Sequence, residues 1–226
     1  MSLVAGEHLA ALVVIAAAAP ALVVAARRSP GAWLKVLALV LAVDEVSWWV
    51  YLALGGGLPG ERAQPLPLQL CDAAVLVAAA ALWTRAQPLV EVTYFWALAG
   101  SLQALLTPDL PHDFPSYPYF QYYLAHGGTV AAALILVVGL RITPRRWAVV
   151  RVAAITVAYT ALVFVADTLT GADYMFLRGK PDTPSLLDYL GPWPWYLVSA
   201  AGVAALLFAV LDAPFRLLER RAESLR

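Results

Sequence analysis

Residues 8–26 read HLAALVVIAAAAPALVVAA, an apolar run that contains no Asp, Glu, Lys or Arg. A bilayer core about 30 Å thick is crossed by roughly 20 apolar residues of α-helix, so the run predicts a membrane-spanning helix. Arg27 and Arg28 follow it directly, and no basic segment precedes it. These flanks differ from those of a signal peptide, and we therefore interpret the run as a retained anchor.

Six further apolar runs follow the first, and 62% of the 226 residues are hydrophobic while only 13% are charged. This composition exceeds what a soluble domain can bury. It predicts an all-α polytopic membrane protein, one seven-helix domain over residues 1–226. The predicted spans are 8–26, 32–54, 67–84, 88–107, 118–140, 147–169 and 192–215.

The distribution of basic residues predicts the orientation of the helices. Lys and Arg collect in cytoplasmic loops. Here they cluster at every second junction, after spans one, three, five and seven: Arg27, Arg28, Lys35, Arg85, Arg141, Arg145, Arg146, Arg151, Arg216, Arg220, Arg221 and Arg226. The amino terminus is therefore predicted outside and the carboxyl terminus in the cytoplasm.

The charge balance and the cysteine count exclude several classes of function. The formal net charge is zero, so nothing indicates a nucleic-acid partner. A single cysteine cannot form an intramolecular disulfide, and no zinc-type spacing of Cys and His occurs. We predict neither a metal nor a cofactor, and the sequence does not indicate an oligomeric state.

The residues with the most promising chemistry are Cys71, near the outer end of the third span, and His126 in the fifth, which we take as the only histidine inside a span. Ionisable groups in a membrane usually face the bundle interior. Either residue has an ordinary alternative role, Cys71 as a small hydrophobe and His126 as a packed, hydrogen-bonded ring. Together, however, a thiol and a nearby imidazole form a nucleophile and its base.

Other polar residues in the outer half suggest a pocket around this pair. Gln69 and Asp72 flank the cysteine, Tyr122 lies one helical turn before His126, and Asp167 is in span six. Such residues also commonly bond to neighbouring helices. On the outer loop, Lys180 with Arg178 would hold a headgroup phosphate or simply remain solvated.

Five segments carry a resemblance to a known family. They are Leu68–Asp72, Tyr94–Ala104, His126–Gly128, Asp173–Leu177 and Gly191–Tyr196, the last of which includes Trp193. In these segments the chain resembles the YwaF-like integral membrane proteins of bacteria. It is also similar to a eukaryotic transmembrane acyltransferase that acts on ether phospholipids through Cys and His, and more distantly to androgen-induced hydrolases of fatty-acid esters. Trp193 would cap a cavity or belong to an interfacial aromatic belt.

The resemblance implies that Cys71 is the nucleophile, that His126 is the base and that Gln103 and Tyr174 line the pocket. We therefore predict an acyltransferase of the bacterial cell membrane that acts on lipids or lysophospholipids, with membrane lipids or fatty acyl chains as its partners. If water accepts the acyl group, the protein is a lipid ester hydrolase. In the remaining alternative, the same residues bind or transport a lipid or small solute without catalysis.

Overall fold

A computed structural model describes residues 6–181 and 186–224, and the all-α prediction is confirmed: no strand occurs in these residues. The α-helices are α1 (Gly6–Arg28), α2 (Trp33–Ala53), α3 (Pro59–Arg62), α4 (Leu70–Thr84), α5 (Gln87–Trp96), α6 (Leu102–Leu106), α7 (Tyr117–Leu134), α8 (Ala148–Thr170) and α9 (Trp195–Ser224). Short 3₁₀-helices cover Tyr174–Phe176 and Leu186–Leu190.

Six helical segments of the described chain are long and apolar enough to cross a membrane, which makes the protein an integral membrane protein. They are Gly6–Arg28, Trp33–Ala53, Gln87–Leu106, Tyr117–Gly139, Ala148–Thr170 and Trp195–Ser224. The predicted span 67–84 corresponds to α4, which has 15 residues. At 1.5 Å per residue α4 is about 22 Å long, which is short of a core of about 30 Å. The seventh span is therefore not confirmed.

Two of the long segments contain a π-helical turn. Ala97–Ser101 joins α5 to α6, and Ile135–Gly139 continues α7. A π-turn bonds residue i to i+5 instead of i+4, so it widens the helix and shifts the faces of the residues beyond it. Side chains on the two sides of Ala97–Ser101 therefore do not follow a single 3.6-residue stripe.

The first of two compact units, Met1–Pro144, contains α1 to α7. In it α2 packs along α4, and α7 packs against α1, α2 and α4. Residues of α6, of α7 and of the segment between them form a core cluster: Leu105, Leu110, Tyr119, Tyr123 and Val130. Helix α7 also contacts α5 and α6, so it is the central helix of this unit and packs against five other helices.

The second unit, Arg145–Arg226, contains α8 and α9 with the two 3₁₀-helices between them. Helix α8 ends at Gly171, whose φ of 78° gives the left-handed cap that glycine adopts easily. The prediction of one domain over residues 1–226 stays a prediction.

Gly128 lets α7 approach α2 closely, and a larger residue is expected to destabilise the protein. A Cβ there would lie 2.4 Å from Cδ2 of Leu41, which is 0% exposed. Gly128→Ala should lower the free energy of unfolding by about 1–3 kcal/mol, as overpacking typically does. The thermal midpoint in detergent measures this loss.

Two further variants make the prediction specific. Gly202→Ala, in a helix where a Cβ meets nothing within 4 Å, should be neutral or stabilising. Adding Leu41→Val to Gly128→Ala should recover part of the loss. If Gly128→Ala is as stable as Gly202→Ala, the contact between residue 128 and Leu41 has room for a methyl group.

Candidate active site

Cys71 lies in the first turn of α4, which begins at Leu70 and not at the predicted residue 67. Residues 65–69 remain outside the helix, and the Gln69 N–H donates to Oδ2 of Asp72 at 3.2 Å. This reciprocal bond fixes the helix start. The thiol is therefore nearer to the free N–H groups of the helix end than the sequence indicated.

Two electrostatic influences on the Cys71 sulfur oppose each other. The amino end of a helix favours a negative charge on the sulfur. Asp72 and Glu45, however, lie within electrostatic range of the half-buried thiol, and ionised carboxyls there would repel a thiolate. Since the surroundings do not clearly favour the thiolate, the sulfur needs a proton acceptor before it can attack.

His126 has the hydrogen-bonding arrangement expected of such an acceptor. Its side chain is 9% exposed, and Nδ1 lies 2.8 Å from the carbonyl oxygen of Tyr122. A carbonyl oxygen only accepts, so Nδ1 carries the hydrogen. In the neutral ring the lone pair is then on Nε2, which is free to accept a proton.

Tyr122 connects His126 with the region of the cysteine. Its ring centroid lies 4.2 Å from that of His126, and its hydroxyl donates to the carbonyl of Ala104 at 2.8 Å. The backbone of Asp109 also bonds to this hydroxyl, and Cys71 lies within electrostatic range of it. The predicted pocket residue Tyr122 thus packs against His126 and has its hydroxyl held by the Ala104 carbonyl.

Cys71 and His126 are on helices that pack together, because α4 contacts α7. No hydrogen bond joins the sulfur to the imidazole among residues 6–181 and 186–224. Catalytic hydrogen bonds are often long before substrate binds, so this geometry leaves proton transfer open.

The predicted pocket residues Gln69 and Asp72 have contacts that serve the start of α4. Besides the bond from the Gln69 N–H to Asp72, the Gln69 amide Nε2 donates to Oε1 of Gln64 at 2.7 Å. Both residues therefore have a structural role next to Cys71, and substrate binding by them stays a prediction.

Removing the Asp72 carboxyl should destabilise the start of α4. We expect Asp72→Ala to lower the free energy of unfolding by about 1 kcal/mol, the usual effect of losing a capping bond. Asp72→Asn keeps an oxygen that accepts the Gln69 N–H and should lose less. Thermal unfolding in detergent compares them, and equal stability of Asp72→Ala and the parent protein would show that the bond contributes nothing.

Gln103 has an exposed side chain in α6. It lies beyond the π-helical turn Ala97–Ser101, and such a turn shifts the faces of the residues that follow it. Its predicted place in a pocket rested on the resemblance, and it stays a prediction.

Asp167 and Tyr174, in the second unit, hold the turn that follows α8. Both are almost fully buried, and the Tyr174 N–H donates to Oδ1 of Asp167 at 3.0 Å. Arg178 donates to the Asp167 carbonyl at 3.2 Å, and its N–H donates to Oδ1 of Asp173 at 2.7 Å. These contacts hold the loop against the end of α8.

Lys180 and Trp193 belong to the same loop region. The Lys180 ammonium lies 3.8 Å from a carboxyl oxygen of Asp188 and 5.6 Å from the centre of the Tyr196 ring. The Trp193 indole donates to the carbonyl of Leu177 at 3.2 Å. Lys180 thus has an acidic and an aromatic neighbour, and a role in lipid binding stays a prediction for Lys180 and Trp193.

His8 is a functional candidate that the sequence analysis missed. It lies in α1, a candidate span, is 2% exposed, and its Nδ1 is 2.8 Å from the Tyr123 hydroxyl. The prediction that His126 is the only histidine inside a span is therefore wrong. The signal was available, because residue 8 opens the first apolar run.

Asp44 and Glu45 of α2 are two further buried acids. Oδ2 of Asp44 and Oε1 of Glu45 have no hydrogen-bond partner in the part of the chain that is described. The Trp49 indole lies near Glu45 but outside hydrogen-bonding geometry. Buried carboxyls without partners are costly and are often functional.

Comparison with known proteins identifies a family. A family model described as the TMEM164 family matches residues 3–212. No curated protein and no solved structure matches the chain.

Proposed function

The chain belongs to the TMEM164 family, and on that premise we propose that it is a membrane-embedded acyltransferase acting on lipids or lysophospholipids. Cys71 is the nucleophile and His126 the general base. The proposal includes α4 as a seventh, short span, an outside amino terminus, a cytoplasmic carboxyl terminus and a location in the bacterial cell membrane. Membrane lipids supply and accept the acyl chain.

The reaction needs only the two side chains and the lipid. His126 Nε2 takes the thiol proton while the sulfur attacks the ester carbonyl of the donor lipid. A carbon–sulfur bond forms, the ester carbon–oxygen bond breaks, and the imidazolium returns the proton to the leaving alkoxide. The hydroxyl of an acceptor lysolipid then reverses these steps on the thioester.

The observation that carries the proposal is the hydrogen bond from His126 Nδ1 to the Tyr122 carbonyl. It leaves Nε2 as the basic nitrogen, and it does so one helical turn from the tyrosine that lies within electrostatic range of Cys71. Because α4 and α7 pack together, this basic nitrogen and the Cys71 thiol are on neighbouring helices.

The experiment uses a long-chain acyl p-nitrophenyl ester with a terminal alkyne as a probe of the full-length protein in lipid nanodiscs. Since Cys71 is the only cysteine, a thioester reports on this residue alone. We expect an acyl adduct that neutral hydroxylamine removes. Labelling should be absent in Cys71→Ala and about 10²–10⁴-fold slower in His126→Ala, as for loss of a general base.

The alternatives give different results. Release of free fatty acid with no transfer to an added lysolipid would indicate a hydrolase. No labelling of folded protein would favour a non-catalytic binder, for which the unpartnered carboxyl oxygens of Asp44 and Glu45 are the supporting observation. That outcome would contradict the thioester mechanism.

A further inference from the structure

An apolar groove of about 710 Å³ lies between α1 and α7 in the first unit, and Leu37 of α2 contributes to its wall. Small-molecule sites typically enclose about 300–1,000 Å³. Among the residues that line the groove, Glu7 is the only charged one. The groove is therefore large enough for a ligand and is suited to hydrocarbon.

Apart from Phe114, the residues that line the groove belong to the candidate membrane spans Gly6–Arg28, Trp33–Ala53 and Tyr117–Gly139. In a bilayer the molecules that reach such a surface are lipids. A hydrocarbon chain can pack against these apolar walls without burying an unpaired polar group.

The two ends of the groove differ in polarity. At the amino end of α1, the Tyr119 hydroxyl donates to the Glu7 carbonyl at 2.7 Å, and the Tyr123 hydroxyl bonds to His8 at 2.8 Å. The other end is formed by aliphatic residues, including Leu22 and Ala131. A lipid would therefore place its polar part near the tyrosines, and the Glu7 charge would repel a free carboxylate.

The length of the groove fits an extended chain. Its α1 residues run from Gly6 to Leu22, which corresponds to about 24 Å at 1.5 Å per residue. One leaflet accounts for only half of a core of about 30 Å. A chain that fills the groove would thus extend beyond the leaflet that holds its headgroup.

We propose that this groove binds one long acyl chain of an esterified membrane lipid, with the ester near Tyr119 and Tyr123 and the methyl end near Leu22 and Ala131. The chain lies along α7 against Gly127, the residue after His126. That the bound chain is then transferred rests on the proposed function. Binding in the groove requires neither Cys71 nor His126.

Photocrosslinking tests the groove independently of turnover. The probe is a phospholipid with a diazirine at the end of a long acyl chain, and the protein is the full chain with Cys71→Ala in nanodiscs, with adducts located by mass spectrometry. We expect adducts at the inner end of the groove, around Leu22 and Ala131. Ala18→Phe should reduce them about tenfold, equivalent to roughly 1.4 kcal/mol of lost binding.

Ala17→Phe is the matched control. Ala17 and Ala18 are both exposed on α1, but only Ala18 lines the groove, so Ala17→Phe should leave the adducts unchanged. A short-chain analogue should not reach the inner end in any variant.

Each outcome decides a separate point. Adducts that Ala18→Phe does not reduce would overturn the groove as a binding site and leave only surrounding lipid. Equal labelling by a free fatty acid probe would overturn the preference for an esterified chain. Groove adducts in a protein whose parent form shows no acyl transfer would refute the proposed function and leave the groove intact.

Discussion

Replacing Cys71 by alanine is expected to abolish acyl exchange. Without the sulfur no thioester forms, and loss of a nucleophile typically costs about 10⁴-fold or more in rate. The measurement is transfer of an isotope-labelled acyl chain from a phospholipid to a lysophospholipid in nanodiscs, followed by mass spectrometry. Cys71→Ser should retain little activity, because a hydroxyl is a weaker nucleophile than a thiol.

A stability control separates chemistry from folding in this experiment. Cys71 is half-buried at the start of α4, and alanine favours helix, so Cys71→Ala should keep the thermal midpoint of the parent protein. Unchanged exchange in the folded variant would mean that the thiol only packs, and the thioester mechanism would be wrong.

Replacing His126 by asparagine is expected to reduce exchange by about 10²–10⁴-fold, the usual contribution of a general base. An asparagine amide can occupy the position of Nδ1 and still donate to the Tyr122 carbonyl, but it offers no basic nitrogen in place of Nε2. The variant therefore removes the base while it keeps the bond that orients the side chain.

The rate of thioester formation by the p-nitrophenyl probe, measured beside the exchange rate, identifies the affected step. Both rates should fall in His126→Asn, and imidazole added to His126→Ala should recover part of each. A folded His126→Asn protein with parental rates would exclude His126 as the base and leave it a packing residue.

The sequence predicted most helices well because their signal is simple. Long apolar runs reflect the length needed to cross a bilayer, so predicted spans such as 118–140 and 147–169 agree with Tyr117–Gly139 and Ala148–Thr170. Helix α9 extends to Ser224, beyond the predicted 215, since its charged end continues as helix after the apolar run stops.

Where the structure differs from the predicted helices, the cause is a local departure from regular helix. The π-helical turn Ala97–Ser101 interrupts the predicted span 88–107, and such a turn is not visible in the apolar pattern. Helix α4 starts at Leu70 because the bond from Gln69 to Asp72 stops the helix there, which a proline pattern alone does not reveal.

Contacts between distant residues were not predictable from one sequence. The pairing of His8 with Tyr123 joins positions that lie 115 residues apart. The bond from Tyr122 to Ala104 depends on how α7 packs against the preceding span. The residue types were visible, but a single sequence does not show which polar groups meet.

The backbone of α7 sets the tautomer of His126. Its Nδ1 bonds to a main-chain carbonyl, which every amino acid at position 122 would supply. Evolution can therefore vary the side chain at that position without losing the orientation of the ring. Only a change to the peptide backbone would weaken this hydrogen bond selectively. An example is an amide-to-ester replacement, which makes the carbonyl a poorer acceptor.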